Sequence, residues 1–535
     1  MTAAVLTIDL GTSGPKAALV DVTGTLLGAG RAPVPTEFGP DGAAEQDPEV
    51  VWEATVAATR AALAAAPAGT RVVAVIPSSQ YSSVVAVDAA GRPTRPMVLW
   101  MDQRGSPKRL RRLGAPRANP VQLADWFRRT GLAPIESGIT LNHIRWVQLA
   151  EPARYARTTA FLEPMDYLAV RLSGRAAANA CTALMYLLTD NRTPRPQGWD
   201  PRLVAYAGVD AAKLPELVEP GADLGQVLPT VAAELGIDPA ARVLSGLNDT
   251  QSGALAAGAA TGTTAAVSIG TTAVIAARCD RHRADPRTTV FASPGPCPAP
   301  GAGYLMSAEN GIAGGAVEHA WQLLDETADP TVRYAALNHA AAAAPPGSGG
   351  VLFLPWLRGS LAPAADGKMR GGFVNVGLEH SRAHLARALF EGTALNLRWL
   401  RAPAERFAGR RFDSFSVYGG GAQSDVWCQV LADVLAAPVR QLEHPGHANC
   451  IGAALFAFAR LGDLDPSAIA DRVRVRRTYD PTPGTAAVYD ELSERFQHAF
   501  RQTKPLFHAL HDARRLLRGA PAAPTDVAPM SGGPT

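Results

Sequence analysis

Asp249 is the side chain in this sequence that is best placed for acid-base chemistry. It is the only charged residue from Val243 to Ala277, a stretch made mostly of glycine, alanine, threonine and aliphatic residues. Because few polar neighbours solvate such a carboxylate, burial can raise its proton affinity, which suits a general base. The alternative is that Asp249 only caps the helix predicted to follow it, a position where aspartate is common.

Two short segments combine a glycine with hydroxyl side chains between apolar, β-branched runs. They are Leu10-Gly11-Thr12-Ser13, which is followed by Lys16, and Ile269-Gly270-Thr271-Thr272. Each segment predicts two strands joined by a tight turn. Such a turn presents backbone N–H groups and hydroxyls, which are suitable ligands for phosphate. One motif used twice, about half a chain apart, predicts two similar domains that face each other across a cleft.

A third turn, Gly419-Gly420-Gly421, lies between a strand predicted at 415–418 and a helix predicted at 424–436. Glycine at such a turn lets a ligand approach the backbone at the N-terminus of a helix. Glycine turns also serve close packing, so ligand contact and packing are equally open at this point.

Length and composition exclude several classes of protein. A chain of 535 residues exceeds what one hydrophobic core supports, so two domains are predicted. A net charge of +3 and 47% hydrophobic residues indicate a globular protein with no nucleic-acid and no membrane partner. The five scattered cysteines form no C-x-x-C pair and indicate neither disulfides nor zinc, which favours a cytoplasmic location.

Alternating strand and helix patterns position these motifs and predict an α/β fold. Strands are predicted at 71–76 (ending at Pro77), 83–88, 97–100, 351–357 and 415–418. Helices are predicted at 47–65, 143–156, 165–174, 381–400, 424–436 and 486–517. The sequence contains no G-x-x-x-x-G-K-[ST] motif, and no G-x-G-x-x-G follows the first strand, so neither common nucleotide-binding motif applies.

Taken in order, these motifs resemble those of the FGGY carbohydrate kinases, a family in the actin-like ATPase superfamily. The resemblance covers roughly residues 3–463 and is strongest to xylulokinases, above all in the stretch GGGAQSDVWCQVLADVLAAPV that begins at Gly419. The matching segments are DLGTS at 9–13 with Lys16 (first phosphate motif), WMDQR at 100–104, the region 246–258 around Asp249, IGT at 269–271 (second phosphate motif), FLPWLRG at 353–359, RGGF at 370–373 and the region 418–425 (adenosine motif).

The resemblance implies an α/β fold of two actin-like (ribonuclease H-like) domains, with mixed sheets flanked by helices, that face each other across a cleft. It implies an N-terminal kinase domain at 1–250 and a C-terminal kinase domain at 251–480. A C-terminal helix at 481–518 and a disordered tail at 519–535, rich in proline and glycine, are expected to follow.

The implied activity is transfer of the γ-phosphoryl group of ATP to a hydroxyl of a small sugar or polyol, with Mg²⁺ as cofactor. Asp249 would be the catalytic base, and Asp9 and Asp249 would hold the metal. The residues implied to bind ATP are Thr12, Ser13, Lys16, Gly270, Thr271, Gly314, Glu318, Gly421, Ala422 and Asp425. The residues implied to bind the acceptor are Gln80, Tyr81, Ser82, Trp100, Asp102, Asn248 and Asp249.

Departures from the family pattern concern the acceptor and the phosphate contacts of the first turn. Tyr81-Ser82 stands where xylulokinases have Met-His and glycerol kinases have Arg-Glu. Gly14-Pro15 replaces hydroxyl residues in the first turn and removes one backbone donor. A xylulokinase-like enzyme is favoured, and a glycerol, other polyol or sugar-acid kinase of the same family is the alternative.

Proteins from other classes are less favoured. An ATP-binding regulatory pseudo-kinase would be expected to have lost one of Asp9, Asp249 or the two turns, and all are present. An actin- or chaperone-like ATPase would lack the segment around Trp100 and Asn248. The oligomeric state is open, with a homodimer as one option.

Overall fold

The structure is a computed structural model that describes residues 2–260, 263–296, 303–327 and 329–517. The tail predicted at 519–535, the last residue of the helix range 481–518, and Cys297 lie outside the described residues.

The N-terminal half contains a large mixed sheet, several short strand pairs and helices on both faces. Its strands are β1 (Thr2–Gly11), β2 (Gly14–Val20), β3 (Leu26–Arg31), β4 (Glu37–Gly39), β5 (Ala43–Gln46), β6 (Thr70–Ser79), β7 (Val85–Val87), β8 (Met97–Val98), β9 (Ala160–Leu162), β10 (Ala177–Asn179), β11 (Glu216–Val218), β12 (Asp223–Gln226), β13 (Arg242–Leu244) and β14 (Leu247–Asn248). Its helices are α1 (Pro48–Ala65), α2 (Pro107–Arg112), α3 (Pro120–Thr130), α4 (Thr140–Ala150), α5 (Pro152–Arg157), α6 (Pro164–Ser173), α7 (Pro201–Ala207), α8 (Pro229–Leu235) and α9 (Asp249–Ala256).

The large sheet of this half has the order β12-β13-β6-β1-β2-β3, and β14 also pairs with β6. β1, β2 and β3 form an antiparallel meander, whereas β6 is parallel to β1 and to β13. The central strands β1 and β6 are buried over most of their length, as their runs of aliphatic residues predict for strands covered on both faces.

The C-terminal half contains a second large mixed sheet. Its strands are β15 (Ala265–Ile269), β16 (Thr272–Cys279), β17 (Ala284–Asp285), β18 (Val290–Pro294), β19 (Tyr304–Ile312), β20 (Leu352–Leu354), β21 (Gly372–Val374), β22 (Phe415–Tyr418), β23 (Val439–Leu442) and β24 (Val475–Tyr479). Its helices are α10 (Gly314–Gln322), α11 (Pro330–Ala343), α12 (Arg382–Ala408), α13 (Asp425–Leu435), α14 (Ala448–Leu461) and α15 (Ala486–Leu517).

The second large sheet repeats the plan of the first. Its order is β17-β18-β19-β16-β15-β22-β23-β24. β15, β16 and β19 are an antiparallel meander, and β22 is parallel to β15 and to β23. In both sheets, therefore, a hairpin that carries a Gly-Thr turn is followed by two parallel strands. The prediction of two similar α/β units is confirmed.

Helices α9 and α14 lie where the two halves meet. Although α14 comes late in the chain, its Leu455 and Phe456 belong to one buried cluster with Val5, Ile76 and Leu247 of the first sheet. The helix thus packs on the N-terminal sheet. The division of the chain at residue 250 stays a prediction.

Prolines account for most differences between predicted and observed elements. β6 was predicted to end at Pro77 but runs to Ser79. Pro77 is tolerated because it lies opposite the gap between β13, which pairs with Ala74 and Val75, and β14, which pairs with Ser78 and Ser79.

The helix predicted at 143–156 is divided into α4 and α5, and the second of these begins at Pro152. The helix predicted at 381–400 extends through Pro403 to Ala408. The strand predicted at 351–357 ends at Leu354. None of the described helices is long and apolar enough to cross a membrane.

Candidate active site

The register of the first sheet brings distant segments of the chain to one edge. Ser79 of β6 pairs with Leu10 of β1 on one side and with Asn248 of β14 on the other. Leu10 in turn pairs with Pro15 of β2. The residues that follow these strand ends, among them Gln80 and Asp249, therefore emerge side by side with the first Gly-Thr turn.

The first turn is a tight two-residue hairpin, as predicted. Thr12 and Ser13 connect the paired residues Gly11 and Gly14. Gly14 has a φ of +125°, and a Cβ added there would lie 2.1 Å from the Ala32 carbonyl oxygen, so only glycine fits. Ser13 is exposed at the tip of the turn.

Asp9 lies on β1 between Lys16 and Ser78 of the neighbouring strands. Asn449 Nδ2 of α14 donates a hydrogen bond of 3.1 Å to Asp9 Oδ2. Asp9 Oδ1 and Asn449 Oδ1 are both buried without a partner in the described part of the chain. Burial raises the pKa of Asp9, although Lys16 and Asn449 act in the opposite direction.

Lys16 connects the first turn to the C-terminal half. Its Nζ donates to the Gly446 carbonyl oxygen at 3.0 Å. The lysine is half-buried, so its ammonium group is held at the junction of the two halves.

Asp249 is the first residue of α9, and it is not the N-cap. That position belongs to Asn248, whose side chain accepts from the Gln251 backbone N–H at 2.9 Å. The alternative that Asp249 only caps the helix is therefore wrong. Asp249 Oδ1 accepts from the Thr250 backbone N–H at 2.7 Å and from the Thr250 hydroxyl at 3.3 Å. Its Oδ2 accepts no hydrogen bond from the described residues.

The environment of Asp249 raises its pKa to about 7, first through burial and then through the negative charges of Asp9 and Glu309. The two hydrogen bonds from Thr250 act in the opposite direction. A carboxyl group with this pKa exchanges its proton near neutral pH, which suits acid-base catalysis.

The segment Gln80–Ser83, here called the acceptor loop because Gln80, Tyr81 and Ser82 are predicted to bind the acceptor, lies beside the first turn. The Thr12 hydroxyl donates to Gln80 Oε1, and Trp100 Nε1 donates to Thr12 Oγ1 at 3.1 Å. The predicted residues Gln80, Trp100 and Thr12 are thus brought together. Ser82 adopts a φ of +64°, a left-handed conformation that is uncommon for serine.

Two buried titratable side chains lie against this loop. Glu163 Oε2 accepts from the Ser83 backbone N–H at 3.2 Å, and its Oε1 accepts from the Thr140 hydroxyl. His143 is fully buried next to the Ser82 backbone, and burial lowers the pKa of its imidazole to about 4. Burial raises the pKa of Glu163 well above its usual value. Both groups fix the loop without reaching solvent.

Two residues predicted to bind the acceptor are engaged within the protein. Asp102 has no exposed surface and accepts from the Ala44 backbone N–H at 2.9 Å and from the Arg104 side chain at 2.7 Å. The Asn248 side chain, which caps α9, also donates to the Cys181 carbonyl oxygen at 3.1 Å. Polar atoms of both side chains are therefore already hydrogen-bonded within the protein.

The second Gly-Thr turn is packed against α10 and the third glycine turn. The Gly314 backbone N–H donates to the Gly270 carbonyl oxygen at 3.0 Å, and a Cβ on Gly314 would lie 2.3 Å from that oxygen. A Cβ on Gly421 would lie 2.5 Å from Ile269 Cγ2. Close packing therefore accounts for both glycines, and their contact with ATP stays a prediction.

The other predicted ATP-binding positions lie along α10 and α13. Asp425, half-buried in the first turn of α13, is paired with Arg476 at 3.1 Å. Ala422 is fully buried, and Glu318 lies on α10 with Arg333 at 3.7 Å. Each of these contacts is internal to the C-terminal half.

Two residues from the second sheet also lie at the site and are absent from the predicted site residues, although Tyr418 begins the predicted adenosine motif at 418–425. Tyr418 of β22 is buried, and a Cβ on Gly253 of α9 would lie 2.2 Å from its hydroxyl oxygen. Burial and then the charge of Asp249 raise the pKa of Tyr418. Glu309 of β19 is half-buried, and its charge acts on both Tyr81 and Asp249.

Comparison with known proteins identifies the family of this chain. The model of the N-terminal domain of the FGGY family of carbohydrate kinases matches residues 4–256. The model of the C-terminal domain of the same family matches residues 265–461. The chain belongs to the FGGY family of carbohydrate kinases. The predicted family, the two-domain fold and the class of enzyme are therefore confirmed.

Relatives of this FGGY kinase differ in the acceptor for which they are named. A xylulose kinase of Staphylococcus epidermidis is 28% identical over 512 residues, which cover 94% of this chain and 97% of the relative. A gluconokinase of Bacillus subtilis is 24% identical over 536 residues, which cover 96% and 99%. The crystal structure of gluconate kinase from Lactobacillus acidophilus has a TM-score of 0.82 at 21% identity, covering 95% of this chain and all of that one.

A weak sequence signal could have revealed one of the two overlooked residues of this FGGY kinase. Glu309 is followed by Asn310 and Gly311, and an acid beside a glycine in a strand suggests a ligand that approaches the backbone closely. Tyr418 gave no such signal, because its position depends on the pairing of β22 with β15.

Proposed function

We propose that this FGGY kinase transfers the γ-phosphoryl group of ATP to a hydroxyl of a small sugar or polyol, with Asp249 as the general base. The proposal rests on the hydrogen bonding and the pKa of the Asp249 carboxylate. One oxygen is fixed by Thr250, the other accepts nothing from the described residues, and the pKa is about 7. A fixed carboxylate with a free oxygen can orient the attacking hydroxyl and accept its proton.

The groups proposed to hold the phosphates come from both halves of the molecule. Thr12, Ser13 and Lys16 would contribute hydroxyls and a positive charge from the first turn, and Gly270 and Thr271 would contribute from the second. Phosphoryl transfer depends mainly on positioning and on charge stabilisation. The backbone and hydroxyl groups of the two turns can position the phosphates, and Lys16 can stabilise their charge. Gly314, Glu318, Gly421, Ala422 and Asp425 are proposed to line the adenosine site, where α10 and α13 begin.

The residues next to the first turn suit Mg²⁺. Asp9 Oδ1 and Asn449 Oδ1 are buried oxygens that have no partner among the described residues, and hard cations bind oxygen. The described residues contain no cluster of three or more His, Cys, Asp or Glu that could hold a metal ion. Asp9 and, more distantly, Asp249 are the carboxylates proposed to hold it. When bound, Mg²⁺ would neutralise charge on the phosphates.

The acceptor is proposed to lie against Gln80, Tyr81, Ser82 and Trp100. Tyr81 can pack on a carbon face of a sugar, and the Ser82 hydroxyl can share a hydrogen bond with it. Asp102 and Asn248 would act indirectly: Asp102 holds Arg104, and Asn248 fixes the start of α9. We place the enzyme in the cytoplasm, where ATP is available.

Replacement of Asp249 by asparagine tests the general base. Asp249→Asn keeps the size of the side chain but removes the oxygen that accepts the proton. We expect kcat to fall by about 10²- to 10⁴-fold, with ATP affinity and melting temperature nearly unchanged. The measurement is ADP release with a panel of ketopentoses, pentitols, tetritols, glycerol and aldonic acids.

Asp47→Asn is the matched control. Asp47 is a true N-cap that accepts from the Glu49 backbone N–H at 2.9 Å, and asparagine serves equally well at such a position. The control should keep full activity. An Asp249→Asn enzyme that retains more than about a tenth of wild-type kcat would contradict the base role.

A further inference from the structure

We propose that the acceptor of this kinase is uncharged, a polyol or a ketose, and that Glu309 binds its hydroxyl groups from the C-terminal half of the cleft. The inference rests on the proposed function, because it names the class of acceptor for the same site.

Glu309 is a carboxylate without a partner at this site. It lies on β19, where its backbone pairs with Val274 of β16 and its carbonyl oxygen accepts from the Ala362 backbone N–H at 3.1 Å. The half-buried side chain has no hydrogen bond or ion pair with any described residue. Burial raises its pKa, and no cation acts in the opposite direction.

The surroundings of Glu309 locate it at the acceptor side of the cleft. Successive side chains of β19 face opposite sides of the sheet: Ala308 lies in the core of the C-terminal half, whereas Leu305, on the same side as Glu309, packs in a buried cluster with Ala254 of α9. The charges of Glu309 and Asp249 both act on Tyr81, which also interacts with the Thr250 hydroxyl. Tyr81 belongs to the acceptor loop, and Thr250 holds the proposed base. Glu309 of β19, Tyr81 of the acceptor loop and Asp249 of α9 therefore form one cluster.

The two arginines whose charges act on His143, beside the acceptor loop, are already paired with carboxylates. Arg95 is paired with Glu45 and with Glu151 at 2.9 Å, and its side chain is only 1% exposed. Arg104 is paired with Asp102 at 2.7 Å and with Glu45. Within the described ranges, no lysine or arginine forms an ion pair with Asp249 or Glu309.

An acceptor pocket with two carboxylates, neither of which is paired with a lysine or arginine of the described residues, distinguishes neutral from acidic substrates. Hydroxyl groups can donate to both carboxylates. The carboxylate of an aldonic acid would be repelled by both, and it would lose its water without gaining a charge-assisted bond. Relatives named for xylulose and for gluconate are both similar to this chain, so overall similarity leaves this choice open.

The test compares acceptors that share a carbon skeleton and differ at one terminal carbon, which carries either a neutral alcohol or a carboxylate. ADP release is measured with xylitol and xylonate, ribitol and ribonate, and glucitol and gluconate, together with D-xylulose. We expect the best neutral acceptor to exceed every aldonate in kcat/KM by at least about tenfold. An aldonate as best acceptor would overturn the inference and leave the kinase function intact. The exposed side chain of Arg358, on the loop after β20, would be the cation to examine in that case.

Substitution of Glu309 links the preference to this residue. Glu309→Gln removes the charge, so we expect the neutral-to-acidic ratio of kcat/KM to fall by about tenfold or more, with the KM for ATP unchanged. Glu494→Gln, on the exposed face of α15, is the control and should leave the ratio unchanged. If Glu309→Gln lowers the melting temperature, Glu309→Asp keeps the charge and should preserve the preference against aldonates.

The outcomes separate this inference from the function on which it rests. No ADP release with any acceptor would contradict the proposed kinase function itself. ADP release with an unchanged neutral-to-acidic ratio in Glu309→Gln would contradict the role of Glu309.

Discussion

His143 shows how burial at a single residue connects the acceptor loop to the stability of the fold. The imidazole is fully buried between the Ser82 backbone and the Asp102–Arg104 pair, and the Ser82 backbone, which favours the protonated ring, does not offset the effect of burial on the pKa. Because water cannot solvate a proton there, the folded protein keeps the ring neutral. The neutral ring supports the loop by packing.

The lowered pKa of His143 predicts a pH dependence of stability. The folded-state pKa is about 4 and the unfolded value is near 6.5, so between these values the unfolded chain binds more protons. Stability is therefore present above pH 6.5 and is lost as pH falls towards 4, by on the order of 3 kcal/mol. Urea unfolding from pH 7.5 to 4.5 should show a steeper loss for the wild type than for His143→Asn.

The control for His143→Asn is the same substitution at a histidine that is exposed in the folded protein. His498 lies on the exposed face of α15, and His498→Asn should leave the pH dependence unchanged. Parallel stability curves for the wild type and His143→Asn would mean that His143 gains a proton in the folded state.

At the scale of elements, the crossing of α9 and α14 determines where Asp249 lies. Gly452 of α14 faces the backbone of α9, and a Cβ added to it would lie 1.8 Å from the Ser252 carbonyl oxygen and 2.8 Å from the Ala256 nitrogen. Both are backbone atoms, which cannot rotate away. The two helices therefore touch through glycine, and α9 carries the proposed base at its first residue.

This contact predicts that Gly452→Ala separates the helices. Alanine in a helix is normally favoured over glycine by about 1 kcal/mol, but overpacking of this kind costs about 1 to 3 kcal/mol. We expect a net loss of stability, together with a lower kcat because Asp249 moves. Chemical denaturation and steady-state kinetics measure the two effects.

Gly420→Ala is the control for this substitution. Gly420 has φ −61° and ψ −43°, which alanine adopts readily, and a Cβ there would meet no atom within 4 Å. This variant should be as stable as the wild type or slightly more stable. Equal stability of the Gly452→Ala and Gly420→Ala proteins would show that α9 and α14 can move apart without cost.

At this scale, the sequence predicted the features that depend on residues close together in the chain. The two Gly-Thr turns, the helix predicted at 47–65 and the strand 415–418 depend on local patterns, and the structure has each of them. The packing of α14 on the first sheet could not be predicted, because an apolar helix face does not identify its partner. Glu309 and Tyr418 remained hidden for the same reason, since strand pairing brings each to the site.

At the scale of the whole molecule, the first and second turns belong to different sheets, and the hydrogen bonds that join the two halves include three on the side of the first turn and β3. Lys16 Nζ donates to the Gly446 carbonyl oxygen at 3.0 Å, Asn449 donates to Asp9 at 3.1 Å, and Arg474 donates to the Thr25 hydroxyl at 2.8 Å. Neither turn alone can surround a triphosphate. The two halves therefore have to approach each other for both turns to contact the same phosphates.

We therefore predict that the molecule closes only when both substrates are bound. Closure would exclude water from the transferred phosphoryl group, and each substrate is proposed to bridge the halves through different residues, ATP through the two turns and the acceptor through Tyr81 and Glu309. The Asp249→Asn protein allows the test with ATP itself, because it should bind ATP and acceptor with little turnover. Small-angle scattering should show a smaller radius of gyration with ATP plus acceptor than with either alone. A radius that stays the same at saturating concentrations of both would mean that the cleft is already closed, and the contacts of Lys16 and Asn449 would then be those of the working enzyme.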